Sequence, residues 1–333
     1  MNNFWRNKKV IVTGANGFLG SHLTITLLKK GARVTGIIKV SPKYTYLNAA
    51  LKELSNPKLK IIKSDIVNLK AVRKIFKAFK PDICLHVAAQ PIVGLANKSP
   101  LPTFKANIEG TWNILEATRE FKMKALVVAS TDKAYGEHKK LPYAEDAALL
   151  ALHPYDSSKA CADILTRCYA HTYGLNTAVT RCANIYGPGD LNFSRIIPDT
   201  IRSAIFLGKN PIIRSDGTPL RDYVYIDDIV NGYLLLAEYL YIGKVKAGEI
   251  FNFGTGKPVS VLGLVRNILQ AAGREDLKPV ILSKIKIKGE IDKQYLSICK
   301  ARRTLGWKPR LFLSHGLAIT IDWYKQYFNT LFE

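Results

Sequence analysis

The 333 residues predict an α/β fold, a doubly wound parallel sheet with a smaller C-terminal lobe. Two observations carry this. The first half alternates short β-branched runs with helical patterns, and the second half loses that alternation as Pro and Gly interrupt it. Strands separated by helices imply crossover connections, a parallel sheet, and helices on both of its faces.

Taken in order, strands are expected at 9–13, 33–38, 59–63, 82–87 and 125–130. The helical patterns between them cover 18–30, 44–54, 69–79 and 103–121. A sixth unit adds a helix at 155–173 and a strand at 177–181. Beyond it, Gly187-Pro188-Gly189, Asn210-Pro211, Gly217-Thr218-Pro219 and Lys308-Pro309 break the chain into short pieces. We therefore divide the chain into a sheet domain at 1–183 and a lobe that is mainly 184–333. Segments near 215–230 and 249–256 are expected to return to the sheet domain. No internal repeat, low-complexity segment or flexible linker is visible.

Composition excludes several classes. A hydrophobic fraction of 47% with 23% charged residues is that of a globular protein. No apolar run approaches the roughly 20 residues that span a bilayer. The most apolar helix candidate, 233–242, is short and carries Glu238. The start of the chain is polar, and Val10 to Val12 is too short for a signal-peptide core. A cytoplasmic protein without membrane contact is expected. The cysteines (Cys84, Cys161, Cys168, Cys182 and Cys299) form no CxxC pair and are odd in number, which predicts buried structural thiols and no metal site.

Strand one runs into Thr13-Gly14-Ala15-Asn16-Gly17-Phe18-Leu19-Gly20. Gly14 permits a tight turn, Gly17 lets backbone approach a pyrophosphate, and Gly20 lets the helix pack on the strand. The helix end supplies free N–H groups. A glycine-rich turn without a ligand is the bland alternative, but the position between a strand and an amphipathic helix favours a Rossmann-like dinucleotide site. Asn16, Phe18 and Leu19 belong to the same turn and join the cofactor-binding set. The end of strand two normally carries an acid for the adenosine ribose of NAD. Gly36 to Lys43 holds none. Lys39 or Lys43 would instead meet a 2′-phosphate, which leans the choice toward NADP; the alternative is that both are merely solvated.

His153-Pro154-Tyr155-Asp156-Ser157-Ser158-Lys159 contains Tyr-x-x-x-Lys. Pro154 suits a first helical turn, so Tyr155 and Lys159 stand at i and i+4 on one face. An ammonium beside a phenol stabilises phenolate and lowers its pKa, making a base for a sugar hydroxyl. Lys159 would also hold the nicotinamide ribose. The spacing alone arises by chance in many helices; after the fifth strand of such a sheet it is specific.

At these residues the chain resembles the extended short-chain dehydrogenase/reductase family, its nucleotide-sugar epimerases and 4,6-dehydratases. The likeness runs from Gly14 to Pro309 through Thr13–Gly20, Asp65-Ile66, His86-Val87-Ala88-Ala89-Gln90, Asn107 to Thr111, Ser130-Thr131-Asp132, Tyr155 with Lys159, and Arg181 to Pro188. Arg221 to Asp228 and Phe251-Asn252-Phe253-Gly254 continue it. The resemblance implies that Asp65 and Ile66 border the adenine, that Ala88, Ala89 and Gln90 line the cofactor, and that Asn107 supports its site. It implies that Asn184 and Arg221 bind the diphosphate of a sugar nucleotide, with Gln90, Arg195 and Arg214 also meeting substrate. A surface ion pair with Asp222 is the alternative for Arg221. NAD or NADP would stay tightly bound and be recycled. Members commonly dimerise through the helices that here run 103–121 and 155–173, so a homodimer is expected.

Lys plus Arg number 49 against 26 Asp plus Glu, a net charge of +23. Nucleic-acid binding would use such charge, but the basic residues scatter over many helix faces, although Lys284, Lys286 and Lys288 alternate on one possible strand. We expect no nucleic-acid partner; the charge steers an anionic nucleotide diphosphate. A redox-inactive Rossmann binding protein is a further competing class, against which intact Thr131, Tyr155 and Lys159 argue.

Within the family, both reactions begin with Tyr155 taking the proton of the sugar 4-hydroxyl while the dinucleotide takes the C4 hydride. An epimerase returns the hydride to the other face. A 4,6-dehydratase eliminates water across C5 and C6 and returns it to C6, which needs an acid for the C6 hydroxyl and a base for C5. Strand five ends Ser130-Thr131-Asp132-Lys133-Ala134-Tyr135-Gly136. Epimerases typically have an apolar residue before Tyr-Gly, whereas dehydratases look like Thr-Asp-Glu and some like Asp-Lys. Asp132 would be the acid and Lys133 the C5 base, which requires a neutral amine. The alternative is that Asp132 caps a helix and Lys133 points to water. Gly189 to Asp199 and Pro154 to Asp163 look most like CDP-glucose 4,6-dehydratases, and Arg221 to Asp228 like the epimerases. A 4,6-dehydratase is the expectation, with a 4-epimerase as the alternative.

Overall fold

The computed structural model describes residues 4–42, 44–283 and 291–330. Lys43 and the alternating Lys284, Lys286 and Lys288 lie outside the described residues. Seven parallel strands form the central sheet: β1 (Lys9–Thr13), β2 (Arg33–Ile38), β3 (Leu59–Lys63), β4 (Ile83–His86), β5 (Ala125–Thr131), β6 (Thr177–Cys182) and β7 (Glu249–Phe253). Their spatial order is β7-β6-β5-β4-β1-β2-β3. Successive side chains feed opposite faces, as the two-residue period of a strand requires. Val10 and Val12 join the core under α1 (Phe18–Lys29), while Ile11 joins the core on the other face. On that other face lie α2 (Leu69–Phe79), α3 (Gly110–Glu120) and α4 (Pro154–Tyr173). Helix α5 (Ile226–Tyr241) packs beside α1.

Two helical expectations change. The helix expected at 44–54 shrinks to Tyr46–Leu51, started by Thr45 Oγ1, which accepts from the Asn48 N–H at 3.0 Å. The helix expected at 103–121 is three pieces: Pro100–Phe104, a π-helical turn at Lys105–Glu109, and α3. The wider turn serves the side chain of Asn107, described below. Segments after β6 make small pairings. Asn184–Tyr186 lies parallel to Tyr223–Tyr225, and Leu220–Arg221 sits between Val259–Ser260 and Lys293–Gln294. All five cysteines are free; Cys84 and Cys182 are buried, but Cys161 is half-buried and Cys168 and Cys299 are exposed, contrary to the expectation of uniformly buried thiols. Among the described residues, no helix is long and apolar enough to cross a membrane.

Candidate active site

Progress across the sheet reverses between β1 and β4, which leaves a crevice at the carboxyl ends of those strands. The glycine turn stands there. Gly14 has φ +68°, and a Cβ on it would lie 2.9 Å from Ala88 Cα. A Cβ on Gly20 would lie 2.0 Å from the Gly14 carbonyl oxygen, so strand and helix meet through bare backbone. From this turn a cavity of about 1060 Å³ extends to Arg214 and Tyr223. Single small-molecule sites rarely exceed about 1,000 Å³, so the space suits a dinucleotide with a second ligand. Gly14, Asn16, Gly17, Phe18, Leu19, Gly20, Lys39, Asp65, Ile66, Ala88 and Ala89 line one end; Thr131, Asp132, Lys133, Tyr155, Asn184, Arg195 and Arg214 line the rest.

At the outer end Lys39 is paired, not merely solvated: its Nζ lies 2.8 Å from Asp65 Oδ2. Burial works against the Asp65 carboxylate, but hydrogen bonds from Lys39 and the Val67 N–H outweigh it and hold its pKa below the usual value. Asn16 Nδ2 donates to the Val40 carbonyl at 2.7 Å. Asn107 stands outside the cavity wall. Its Oδ1 accepts from the Gln90 N–H at 2.7 Å, and its Nδ2 donates to Ser158 Oγ at 2.9 Å. Gln90 is not among the residues that line the cavity. Its side-chain amide is spent on Thr103 Oγ1 at 2.9 Å and on the backbone of Ile92.

The chemistry-bearing cluster differs from expectation at three points. Lys159 is buried and its Nζ donates to the Ala129 carbonyl at 2.6 Å. Burial pushes it down to about 8. The Tyr155 phenol is pushed up to about 12, chiefly by burial; the charge that acts against burial is Arg195, joined by a hydrogen bond between the phenol and Thr131, while Asp156 and Asp132 add to it. The expected lowering of the phenol by Lys159 is therefore corrected. Second, Thr131, not Asp132, caps the short turn after β5, its Oγ1 accepting from the Lys133 N–H. Asp132 is wholly buried; Oδ1 accepts from Thr131 Oγ1 at 3.1 Å, and Oδ2 has no partner. Third, Lys133 Nζ donates to Asn184 Oδ1 at 3.1 Å and lies 3.6 Å from Asp132 Oδ1. Both partners are acceptors, so the nitrogen is presented to them as a donor.

Residues 10–254 match the NAD dependent epimerase/dehydratase family. The chain belongs to that family. It is 32% identical to a UDP-glucuronate 4-epimerase of Thermodesulfobacterium geofontis over 95% of this chain and 96% of that one. It is 29% identical to a CDP-glucose 4,6-dehydratase of Salmonella typhimurium, over 97% and 92%. The solved UDP-glucuronic acid 4-epimerase from Bacillus cereus, in complex with UDP-glucuronic acid and NAD, superimposes with a TM-score of 0.85 at 29% identity, over 96% of this chain and 99% of that one.

Arg221, expected at the diphosphate, is placed differently from Arg195 and Arg214. It stands outside the cavity wall, on the short strand between Val259–Ser260 and Lys293–Gln294, where its guanidinium donates to the Leu220 carbonyl at 2.9 Å. Arg195 and Arg214 are the guanidinium groups that face the cavity. Arg195 is braced by Asp190, a buried carboxylate 2.9 Å away that sequence reasoning passed over. Asp190 in turn is fixed by the C-terminal helix Leu313–Asn329, where Tyr324 Oη donates to its backbone carbonyl. Asp156 was also missed; burial pushes its carboxyl up to about 6, with Lys133 opposing. No spacing in the sequence signals either carboxylate, because both acquire their meaning from distant elements.

Proposed function

We propose that this chain is a nucleotide-sugar 4,6-dehydratase working with a tightly bound nicotinamide dinucleotide. The observation that carries the reading is the Asp132–Lys133 pair, set in the cavity wall beside Thr131 and Tyr155. A 4-epimerase has no use for an acid and base beyond O4; elimination across C5 and C6 requires both. The CDP-glucose 4,6-dehydratase relative supports the same choice. NAD is present in the Bacillus cereus neighbour, and the glycine turn with Asp65, Ile66, Ala88 and Ala89 suits a dinucleotide. Bound there, it would supply acceptance of the C4 hydride and its later return.

The chain's own groups do the rest. Tyr155 takes the O4 proton, Thr131 hydrogen-bonds the phenol, and Arg195 opposes the burial that keeps it neutral. Because Lys133 is presented as a donor, we assign it the proton for the departing C6 hydroxyl. The Asp132 carboxylate, with a free Oδ2, takes the C5 proton. The C5–H pair becomes the C5–C6 double bond, hydroxide leaves as water with the Lys133 proton, and the ion pair ends neutral on both sides. Arg195 and Arg214 hold the diphosphate through their fixed fork of donors. In this reading residues 1–183 carry the dinucleotide and 184–333 bring the substrate cations. The chain pairs as a homodimer through exposed Leu101, Trp112 and Ile164 on the helices beside the cavity (60%, 42% and 51% exposed); light scattering at the dimer mass agrees with this, and a monomer refutes it.

A second reading, 4-epimerisation, is favoured by the enclosure of Asp132, which has 0% exposed surface, and by the UDP-glucuronate 4-epimerase relative. A panel of UDP-, CDP-, GDP- and dTDP-hexoses with NAD+ or NADP+ separates the two. Product lighter by one water is the expected result; unchanged mass with an inverted C4 rejects dehydration. Lys133→Met should then abolish elimination, and full activity in that variant removes Lys133 from the mechanism.

A further inference from the structure

We propose that His86 is a positioning residue, a neutral Nε2–H imidazole that ties the phosphate-binding turn to the helix carrying Tyr155. The inference rests on the dinucleotide site proposed above. His86 ends β4, is 2% exposed, and does not line the cavity. Its tautomer follows from counting lone pairs and protons. Thr13 Oγ1 accepts from the N–H groups of Val87 at 3.2 Å and Ala88 at 3.1 Å. With both lone pairs used, its proton points to His86 Nδ1, 2.8 Å away. On the other side Thr111 Oγ1 donates to the Asn107 carbonyl at 2.6 Å, so it accepts from Nε2–H at 3.1 Å. The ring accepts on one side and donates on the other.

The chain does not stop at Thr111. Asn107 Nδ2 donates to Ser158 Oγ at 2.9 Å, and Ser158 Oγ donates to the Tyr155 carbonyl at 2.6 Å. A path of hydrogen bonds, largely buried and passing through the Asn107 residue itself, therefore joins the end of β1 to the first turn of α4. At one end it fixes Val87 and Ala88, whose backbones line the dinucleotide end of the cavity; at the other it fixes the backbone of the catalytic tyrosine. A cationic ring would face the Thr13 hydroxyl proton with a second proton. Burial, with the Lys159 charge, pushes His86 down to about 3, which keeps the ring neutral. Fully satisfied buried networks rigidify what they connect, and a broken member leaves costly orphans.

Thr111 is the informative position because it touches neither ligand space. Thr118 on the same helix is its control: it is buried and donates to the Ile114 carbonyl at 2.7 Å, four residues back. NAD+ affinity by titration calorimetry and Tm are read for both. Thr111→Val should weaken NAD+ roughly five- to ten-fold, and Thr111→Ser should stay within about two-fold of the natural protein. Thr118→Val should lower Tm without moving affinity. A folded Thr111→Val that binds NAD+ as the natural protein does overturns the inference. Should that variant not fold, 15N spectra of the natural protein decide: a proton on Nε2 of His86 upholds the path, and one on Nδ1 overturns it. If the natural protein binds no dinucleotide, the functional reading fails instead, and the tautomer still answers for His86.

Discussion

At the scale of the residue, the electrostatics around Tyr155 depend on a group far away in sequence. Tyr155 of the Tyr-x-x-x-Lys pair lies in the cavity wall, but Lys159 is turned to the Ala129 carbonyl and the opposing charge comes from Arg195. That could not be read in advance, because Arg195 reaches the cavity only when the later lobe folds back and Asp190 braces it. With the phenol pushed up to about 12, the ionised fraction of Tyr155 grows as pH rises, so kcat/KM should climb from neutral pH into the alkaline range. Arg195→Met removes the charge that opposes burial and should move this climb to higher pH; an unmoved profile excludes Arg195 from the role. Tyr155→Phe should cost roughly 10²–10⁴-fold in kcat with dinucleotide affinity retained. Unchanged turnover in that variant rejects the chemistry proposed.

At the scale of the element, strands were legible because continuous apolar runs are what a doubly covered parallel sheet demands. Helix ends were less so. The π-helical turn at Lys105–Glu109 holds Asn107, which bonds Gln90 and Ser158, and side-chain contacts of that kind are invisible to periodicity. Helix α4 is locked to the sheet by a buried ion pair equally hidden from the sequence. Arg181 on β6 grips Asp163 of α4 through Nε at 2.8 Å and Nη2 at 3.1 Å, with its guanidinium over the Tyr135 ring. Arg181→Met leaves the buried Asp163 carboxylate with Arg167 Nε, 2.9 Å away, as its remaining cationic partner, and should cost about 1–3 kcal/mol in denaturant unfolding; a loss below 1 kcal/mol contradicts this. Gly20→Ala sets a methyl group against the Gly14 carbonyl, and should destroy dinucleotide binding through displacement of the turn.

At the scale of the molecule, two buried histidines give stability a sign with pH. His22 is lowered to about 4, chiefly by burial, and His86 to about 3. Both are below the value of 6.5 in the unfolded chain. The unfolded state therefore takes up protons first as pH falls below about 6.5, and stability present above that pH is lost toward pH 4. The loss should be on the order of 3 kcal/mol per histidine at pH 4. Tm should fall over this window, and His22→Phe should flatten the fall; an unchanged slope contradicts the linkage.

In the proposed 4,6-dehydration one sugar loses a hydride at C4 and regains it at C6 without release of the dinucleotide. A nucleotide hexose deuterated at C4 tests this in a single turnover. Dehydration by this route gives a product short of one water with deuterium at C6. Deuterium that stays at C4, or is lost to solvent, contradicts it.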